Sequence, residues 1–182
     1  MNPRIAFLSR ILSILASLFI VIIPVTVAVM WIYGTEETLL SGFPRYWFVP
    51  AGIFFQPGTL TESARLLSAF ISIVANIPLL LALWQLRCLL DLYHNLDVFR
   101  SDAASRMKKF AAYIVGFALL QPIAGGVLSI VTSMNNTSGH RLLSISIADT
   151  DLATIFMGAT MIVIAYVLEE AHRLSEENKS FV

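Results

Sequence analysis

Hydrophobic positions along the chain fall into four long runs separated by polar stretches, and this pattern predicts four membrane-spanning helices. The runs cover 11–33, 63–86, 110–134 and 150–168. A bilayer core about 30 Å thick requires roughly 20 apolar residues in a helix, because the backbone must satisfy its own hydrogen bonds where water is absent. We therefore expect an all-α polytopic membrane protein, a four-transmembrane-helix bundle forming a single membrane domain over 1–182.

Outside these runs, the chain has an outer loop at 34–62, a hairpin at 87–109 and a C-terminal tail at 169–182. Basic residues are concentrated on the side that carries the hairpin and both termini. The positive-inside rule therefore places the N and C termini and the hairpin in the cytoplasm. The basic residues on that side are Arg4, Arg10, Arg87, Arg100, Arg106, Lys108, Lys109, Arg173 and Lys179, against Arg45, Arg65 and Arg141 on the other.

Composition supports an integral membrane protein. Hydrophobic residues make up 57% and charged residues 13% of the chain, whereas a soluble domain has about 25% charged residues. Twelve basic and twelve acidic residues cancel, so net charge gives no reason to expect direct nucleic-acid binding. The single cysteine, Cys88, excludes an internal disulfide and a cysteine-built metal site.

Two amides lie near the centres of predicted spans, Asn76 in the second and Gln121 in the third. Facing lipid, they would leave polar groups unpaired, so both should point inward and form a polar core. They either hydrogen-bond between helices or line a site for a small ligand or ion. The span centres carry no ionisable residue, which argues against a proton-coupled pump. Pro24, Pro78 and Pro122 are interpreted as packing kinks within the helices.

Several local signals bear on helix ends and contacts. Thr59 with Glu62 three residues later predicts a capping box that opens the second helix. Serines at spacing four, among them Ser13 and Ser72, predict close helix packing. His94, which stands between two aspartates, is interpreted as a solvated histidine at a helix end rather than a metal ligand. The outer loop carries an aromatic cluster predicted to lie on the outer leaflet or to cap the bundle: Phe43, Tyr46, Trp47, Phe48, Phe54 and Phe55.

Helical spacing of apolar residues continues beyond the second span and into the tail. The hairpin is basic and the tail is acidic. We expect charges from the two to pair on the cytoplasmic side, with each exposed pair contributing only about 0 to 1 kcal/mol.

Two blocks of sequence resemble a known family. They are LYHNLDVFRSDAASRMKKFAAYIVGFALL, which leads into the third span, and DLATIFMGATMIVIAYVLEEAHRLSEENKSFV, which forms the last span and the tail. Both are similar to the small four-span bacterial membrane proteins grouped as domain of unknown function 2975 (DUF2975). The resemblance implies a multi-pass protein of the bacterial cytoplasmic (inner) membrane.

Genes of this family often stand beside genes for small helix-turn-helix regulators. The resemblance therefore implies a regulatory or interaction partner of a DNA-binding protein, with no catalytic residues and no cofactor. The expected partner surface combines the hairpin and the start of the tail: Asp97, Arg100, Arg106, Lys108, Lys109, Glu169, Glu170 and Arg173.

Two other functions stay open. One is a component for small-ligand or ion transport that uses Asn76 and Gln121. The other is an enzyme acting on lipid, for which the sequence offers only His140, Asp149 and Asp151 on the outer side. These three are better explained as loop and helix-capping residues, so we expect no enzymatic activity. The expected partners are the lipid bilayer and a cytoplasmic protein, with homo-oligomerisation left open.

Overall fold

A computed structural model describes residues 3–35, 39, 50, 53, 56, 59–94, 101–136 and 141–180. They form four long helices and, within the described part of the chain, no strand, which confirms the all-α prediction. The helices are α1 (Pro3–Tyr33), α2 (Glu62–His94), α3 (Ser101–Ser133) and α4 (Asp149–Ser180).

Each helix contains a segment long and apolar enough to cross a membrane: Phe7–Tyr33, Glu62–Leu92, Ala103–Ser133 and Asp149–Ala171. All four predicted spans are therefore confirmed as apolar helices. The helices are longer than the predicted spans, and most of the added length is at the ends predicted to be cytoplasmic. Such extensions agree with the helical spacing seen past the second span and in the tail.

Pro24, Pro78 and Pro122 all lie inside continuous helices. Neighbouring groups re-satisfy backbone bonds lost to proline in membrane helices, so a proline there need not end the helix. The predicted aromatic cluster of the outer loop lies outside the described residues, as does the turn before α3.

The chain packs as two compact units, and each helix contributes residues to both. The first unit contains Met1–Ile20, Pro78–Gly116 and Ala153–Val182. The second contains Val21–Ile77 and Phe117–Leu152. The prediction of a single membrane domain stays a prediction.

The second unit holds the main hydrophobic cluster. Trp31, Val27 and Leu128 are fully buried in it, together with Leu39 and Ile53 from the outer loop. Trp31 is the largest fully buried side chain among the described residues, and its indole Nε1 donates to Ser72 Oγ at 3.0 Å. Because lipid is as apolar as a protein core, this cluster is stabilised mainly by close packing and by such hydrogen bonds.

The start of α2 differs from the predicted capping box. The cap is Thr61, whose Oγ1 accepts from the backbone N–H of Ala64 at 3.4 Å, while Glu62 is the first residue of the helix. Thr59 instead donates to the carbonyl oxygen of Gln56 at 2.7 Å. The sequence offered two threonines two residues apart, and the earlier one belongs to the loop.

Arg65, in the first turn of α2, holds the end of α1. Its Nη1 donates to the carbonyl oxygen of Gly34 at 2.8 Å, directly after the last residue of α1. A guanidinium at a helix C-terminus satisfies an open carbonyl and suits the negative end of the helix dipole. A Cβ at Gly34 would lie 2.2 Å from the Met30 carbonyl oxygen, so this position needs glycine.

In the first unit, α3 and α4 approach closely at Gly158. A Cβ added there would lie 2.6 Å from Cγ2 of Val115 and 3.3 Å from the carbonyl oxygen of Ala111. Ala111 and Ala165 are fully buried. Small residues at such a contact let two membrane helices pack backbone to backbone.

We predict opposite effects for two glycine-to-alanine changes. Gly158→Ala is expected to destabilise the protein by about 1 to 3 kcal/mol through overpacking. Gly116→Ala is the matched control, because a Cβ there meets nothing within 4 Å, and alanine is about 1 kcal/mol better than glycine inside a helix. The midpoint of thermal unfolding in detergent should fall for Gly158→Ala and should stay the same or rise for Gly116→Ala. Equal shifts would contradict the close α3–α4 contact.

Candidate functional site

The charged residues of the first unit form the first candidate surface. Lys108 of α3 pairs with Glu169 of α4, and its Nζ lies 3.8 Å from the centroid of the Tyr166 ring. The Lys108 side chain is about three-quarters buried. The expected pairing of the basic hairpin with the acidic tail is thus present, with a cation–π contact that the sequence did not indicate.

Past Glu169, the charges on α4 pair along the helix. Arg173 contacts Glu170 at 2.5 Å and Glu177 at 3.6 Å, and all three side chains are more than half exposed. Pairs at this spacing contribute about 0.2 to 0.5 kcal/mol to a helix, so they support the extension of α4 beyond its apolar part. The charges remain open to solvent.

The other predicted surface residues differ in their exposure to solvent. Lys109 is exposed. Arg106 is partly buried, and its Nε–H donates to no described residue. Asp97 and Arg100 lie outside the described residues. The structure therefore brings Lys108 and Glu169 together, keeps Glu170 and Arg173 on one exposed helix face, and leaves the rest of the predicted surface untested.

A second polar contact in the first unit joins α1 and α2. The buried hydroxyl of Ser13 donates to Oδ1 of Asp91 at 2.6 Å. Arg87 lies 3.9 Å from the same carboxylate and 5.6 Å from the Trp84 ring centroid. The sequence indicated Ser13 only as a small packing residue, because nothing in its spacing shows an acidic partner on another helix.

The second unit contains most of the buried polar side chains. Ser68, Ser72 and Asn76 lie four residues apart on α2, and all three are fully buried. Asn76 Nδ2 donates to the carbonyl oxygen of Ser72 in its own helix at 2.7 Å. The predicted inward orientation of Asn76 is confirmed.

Gln121 is only partly buried. The polar core predicted from Asn76 and Gln121 stays a prediction. Asn76 is bonded to Ser72, whose hydroxyl accepts from the indole Nε1 of Trp31. Sequence position alone placed both amides near a span centre but could not give the direction of either side chain.

Asn136, just after α3, forms hydrogen bonds with the outer loop. Its Oδ1 accepts from the Gln56 backbone N–H at 2.9 Å and lies 3.0 Å from Thr59 Oγ1. Nearby, Asn135 Nδ2 donates to Thr61 Oγ1 at 3.1 Å. These contacts fix the loop at the start of α2 to the end of α3, and no local sequence pattern marks them.

Two buried serines of α3 hold the segment that precedes α4. Ser133 Oγ accepts from the Leu142 N–H at 3.1 Å, and Ser129 Oγ accepts from the Ser144 N–H at 2.9 Å. Gly126 leaves room for Ile145, since a Cβ there would lie 2.8 Å from Ile145 Cγ1. We call residues 141–148, which are neither helix nor strand, the docked segment.

Among the described residues, no group of three or more His, Cys, Asp or Glu side chains is placed to hold a metal ion. The arrangement instead offers hydroxyl and amide groups inside the second unit, and exposed charges on the first. Its chemistry is that of hydrogen bonding and ion pairing.

Four long apolar helices with polar side chains turned inward define an all-α, multi-pass membrane protein. The chain belongs to the family described as protein of unknown function (DUF2975), whose model matches residues 46–182. The match begins before α2, so it covers more of the chain than the two blocks that carry the resemblance in the sequence. No curated protein and no solved structure matches the chain.

Proposed function

We propose that this chain is a regulatory or interaction protein of the bacterial inner membrane, without enzymatic activity, that binds a cytoplasmic protein through its charged end. The observation that carries the proposal is the extension of α4. The apolar part of this helix ends at Ala171, yet the helix continues to Ser180. A charged helix projecting from the membrane gives a soluble partner a surface to bind.

The charges at this end have the properties of a recognition surface. Glu170, Arg173 and Glu177 are exposed on one helix. Lys108 and Glu169 fix α3 and α4 to each other at the base of the extension. Exposed charges add little to stability but strongly affect the rate and selectivity of association, so a surface of this kind suits a partner of complementary charge.

The family resemblance suggests which partner to test first. A gene for a small helix-turn-helix protein beside the gene for this chain would support the proposal. Its product should then co-purify with the full chain from detergent. Recovery that is unchanged after removal of 169–182 and reversal of Arg106, Lys108 and Lys109 would contradict it.

A charge swap separates partner binding from internal pairing. Lys108→Glu combined with Glu169→Lys keeps the ion pair but reverses its orientation. We expect the swap to restore the thermal stability lost in Lys108→Glu alone, a change of at most about 1 kcal/mol. Partner recovery should stay reduced about tenfold, which corresponds to about 1.4 kcal/mol.

The control for the swap is Arg141→Glu, an exposed charge in the second unit. This change should leave both partner recovery and stability unchanged. Full recovery of the partner in the swap variant would mean that Lys108 and Glu169 serve only to pack α3 against α4.

Transport of a small ligand or ion is the second candidate, and the buried face of Ser68, Ser72 and Asn76 favours it. The test is K⁺ flux into proteoliposomes that contain the purified chain. Flux that disappears in Asn76→Leu would support transport. Absence of flux, or flux that Asn76→Leu leaves unchanged, would exclude a role of this face in K⁺ transport.

A further inference from the structure

The docked segment runs along α3 in an extended conformation. The N–H of Leu142 donates to Ser133 Oγ, and the N–H of Ser144 donates to Ser129 Oγ. The side chain of Ile145 lies against Gly126. From Ser133 back to Gly126, the axis of α3 covers about 10 Å at 1.5 Å per residue. From Leu142 to Ile145, an extended chain covers about the same distance at 3.3 Å per residue. The segment is therefore nearly fully extended and runs parallel to the helix axis.

The docked segment, which is not helical, therefore runs alongside the apolar part of α3. Gly126 lies well inside the apolar helix Ala103–Ser133. The first residue of α4, Asp149, comes only four residues after Ile145. The backbone at Ser144 and Ile145 thus lies at the depth of a membrane span. Hydrocarbon cannot satisfy open backbone groups, and extended chain occurs at this depth only inside protein or beside water.

The apolar side chains of the docked segment are largely exposed. Leu143, Ile145 and Ile147 are 66%, 65% and 64% exposed. The hydrogen bonds to α3 use the backbone of Leu142 and Ser144. In an extended chain the backbone groups of the intervening residues point to the opposite edge. Among the described residues, none forms a hydrogen bond with the backbone of Leu143 or Ile145.

Side chains of the docked segment alternate between two faces. Leu143, Ile145 and Ile147 share one face, whereas Ser144, Ser146 and Ala148 share the other with Leu142 at its start. Alternation with a period of two is typical of an extended segment between an apolar and a polar environment. Transmembrane strands with lipid on one face and water on the other have the same pattern.

We propose that a water-filled recess enters the protein from the side on which α3 ends and reaches the first turn of α4. The face with Ser144 and Ser146 lines it, and the exposed parts of Leu143, Ile145 and Ile147, which do not pack against α3, contact lipid. Water in the recess satisfies the open backbone edge and hydrates the exposed carboxylate of Asp149. The recess is independent of the proposed partner surface, which lies in the other unit.

Cysteine accessibility tests the recess in the full chain. With Cys88→Ala as background, single cysteines replace Ser146, Ile147, Arg141 and Ile123. Arg141 serves as the exposed loop reference. Ile123, which is exposed on α3, serves as the lipid reference. A sulfonated, membrane-impermeant maleimide is added to proteoliposomes from either side, and labelling rates are compared.

Only the thiolate reacts with maleimide, and a thiolate forms in water but not in hydrocarbon. We expect Ser146→Cys to react within about threefold of the Arg141→Cys rate, and Ile147→Cys and Ile123→Cys at least about tenfold more slowly. If Ser146→Cys reacts as slowly as Ile123→Cys, no water reaches this depth. If Ile147→Cys reacts as fast as Ser146→Cys, the segment lies in bulk water and the recess does not exist.

Amide hydrogen exchange of the unmodified chain gives a second measurement that does not depend on cysteine variants. The recess predicts slow exchange at Leu142 and Ser144 and fast exchange at Leu143 and Ile145. Uniform slow exchange along the docked segment would overturn the proposal, because hydrocarbon or protein would then cover the open edge.

Discussion

Trp31→Ala is expected to destabilise the protein by about 3 kcal/mol, the lower end of the range for removing a large aromatic side chain from a core. Trp31 is fully buried in the hydrophobic cluster of the second unit, and its indole donates to Ser72. The lower end applies because unfolding within a membrane returns apolar groups to lipid rather than to water. The loss arises from the cavity and from the unpaired Ser72 hydroxyl.

Trp84→Ala is the matched control, because half of Trp84 is exposed and its ring contacts Arg87 only at 5.6 Å. We expect it to cost less than about 1 kcal/mol. Trp31→Phe keeps most of the volume but removes the hydrogen bond, and should cost about 1 kcal/mol. Reversible unfolding in mixed micelles measures all three variants. Equal losses for Trp31→Ala and Trp84→Ala would mean that the cluster around Trp31 does not stabilise the chain.

The sequence predicted the four helices well because hydrophobicity over 20 or more residues is a strong signal. It also predicted that Ser72 and Asn76 are buried, since small and amide side chains in a span avoid lipid. Pairing between the hairpin and the tail followed from their opposite charges, but the particular pair, Lys108 with Glu169, did not. Each of these features depends on composition averaged over a segment.

Features that depend on one specific partner could not be predicted. Nothing in the spacing of Trp31 and Ser72 shows that they meet, because the register of α1 against α2 is set by packing along both helices. The same holds for Ser13 with Asp91. For Gln121, the position in its span gives depth in the membrane but not the direction of the side chain around the helix.

The docked segment is the largest structural feature that hydropathy did not predict. Residues 141–148 lie between the third and fourth predicted spans. The alternation of LSISI was present in the sequence, but the serines that bind it, Ser129 and Ser133, are in a different element. A short period-two pattern beside an apolar helix is therefore a signal worth testing in chains of this kind.

Replacing both Ser129 and Ser133 with alanine is expected to release the docked segment from α3. Each hydroxyl accepts a backbone N–H of the segment, and each is buried. Loss of a buried hydrogen-bond partner costs about 1 to 3 kcal/mol, so the two together should lower the free energy of releasing the segment by several kcal/mol. Amide exchange at Leu142 and Ser144 should become at least about tenfold faster, since 1.4 kcal/mol is a factor of ten.

Ser17→Ala is the matched control for this double variant. Ser17 is a partly buried serine whose hydroxyl donates at 2.8 Å to the carbonyl oxygen of Ser13 in its own helix. It should leave exchange in 141–148 unchanged, because it removes a hydroxyl without touching the segment. If the double variant leaves exchange at Leu142 and Ser144 slow, the serines do not hold the segment. Packing of Ile145 over Gly126 would then be what fixes it, and Gly126→Ala would be the change that releases it.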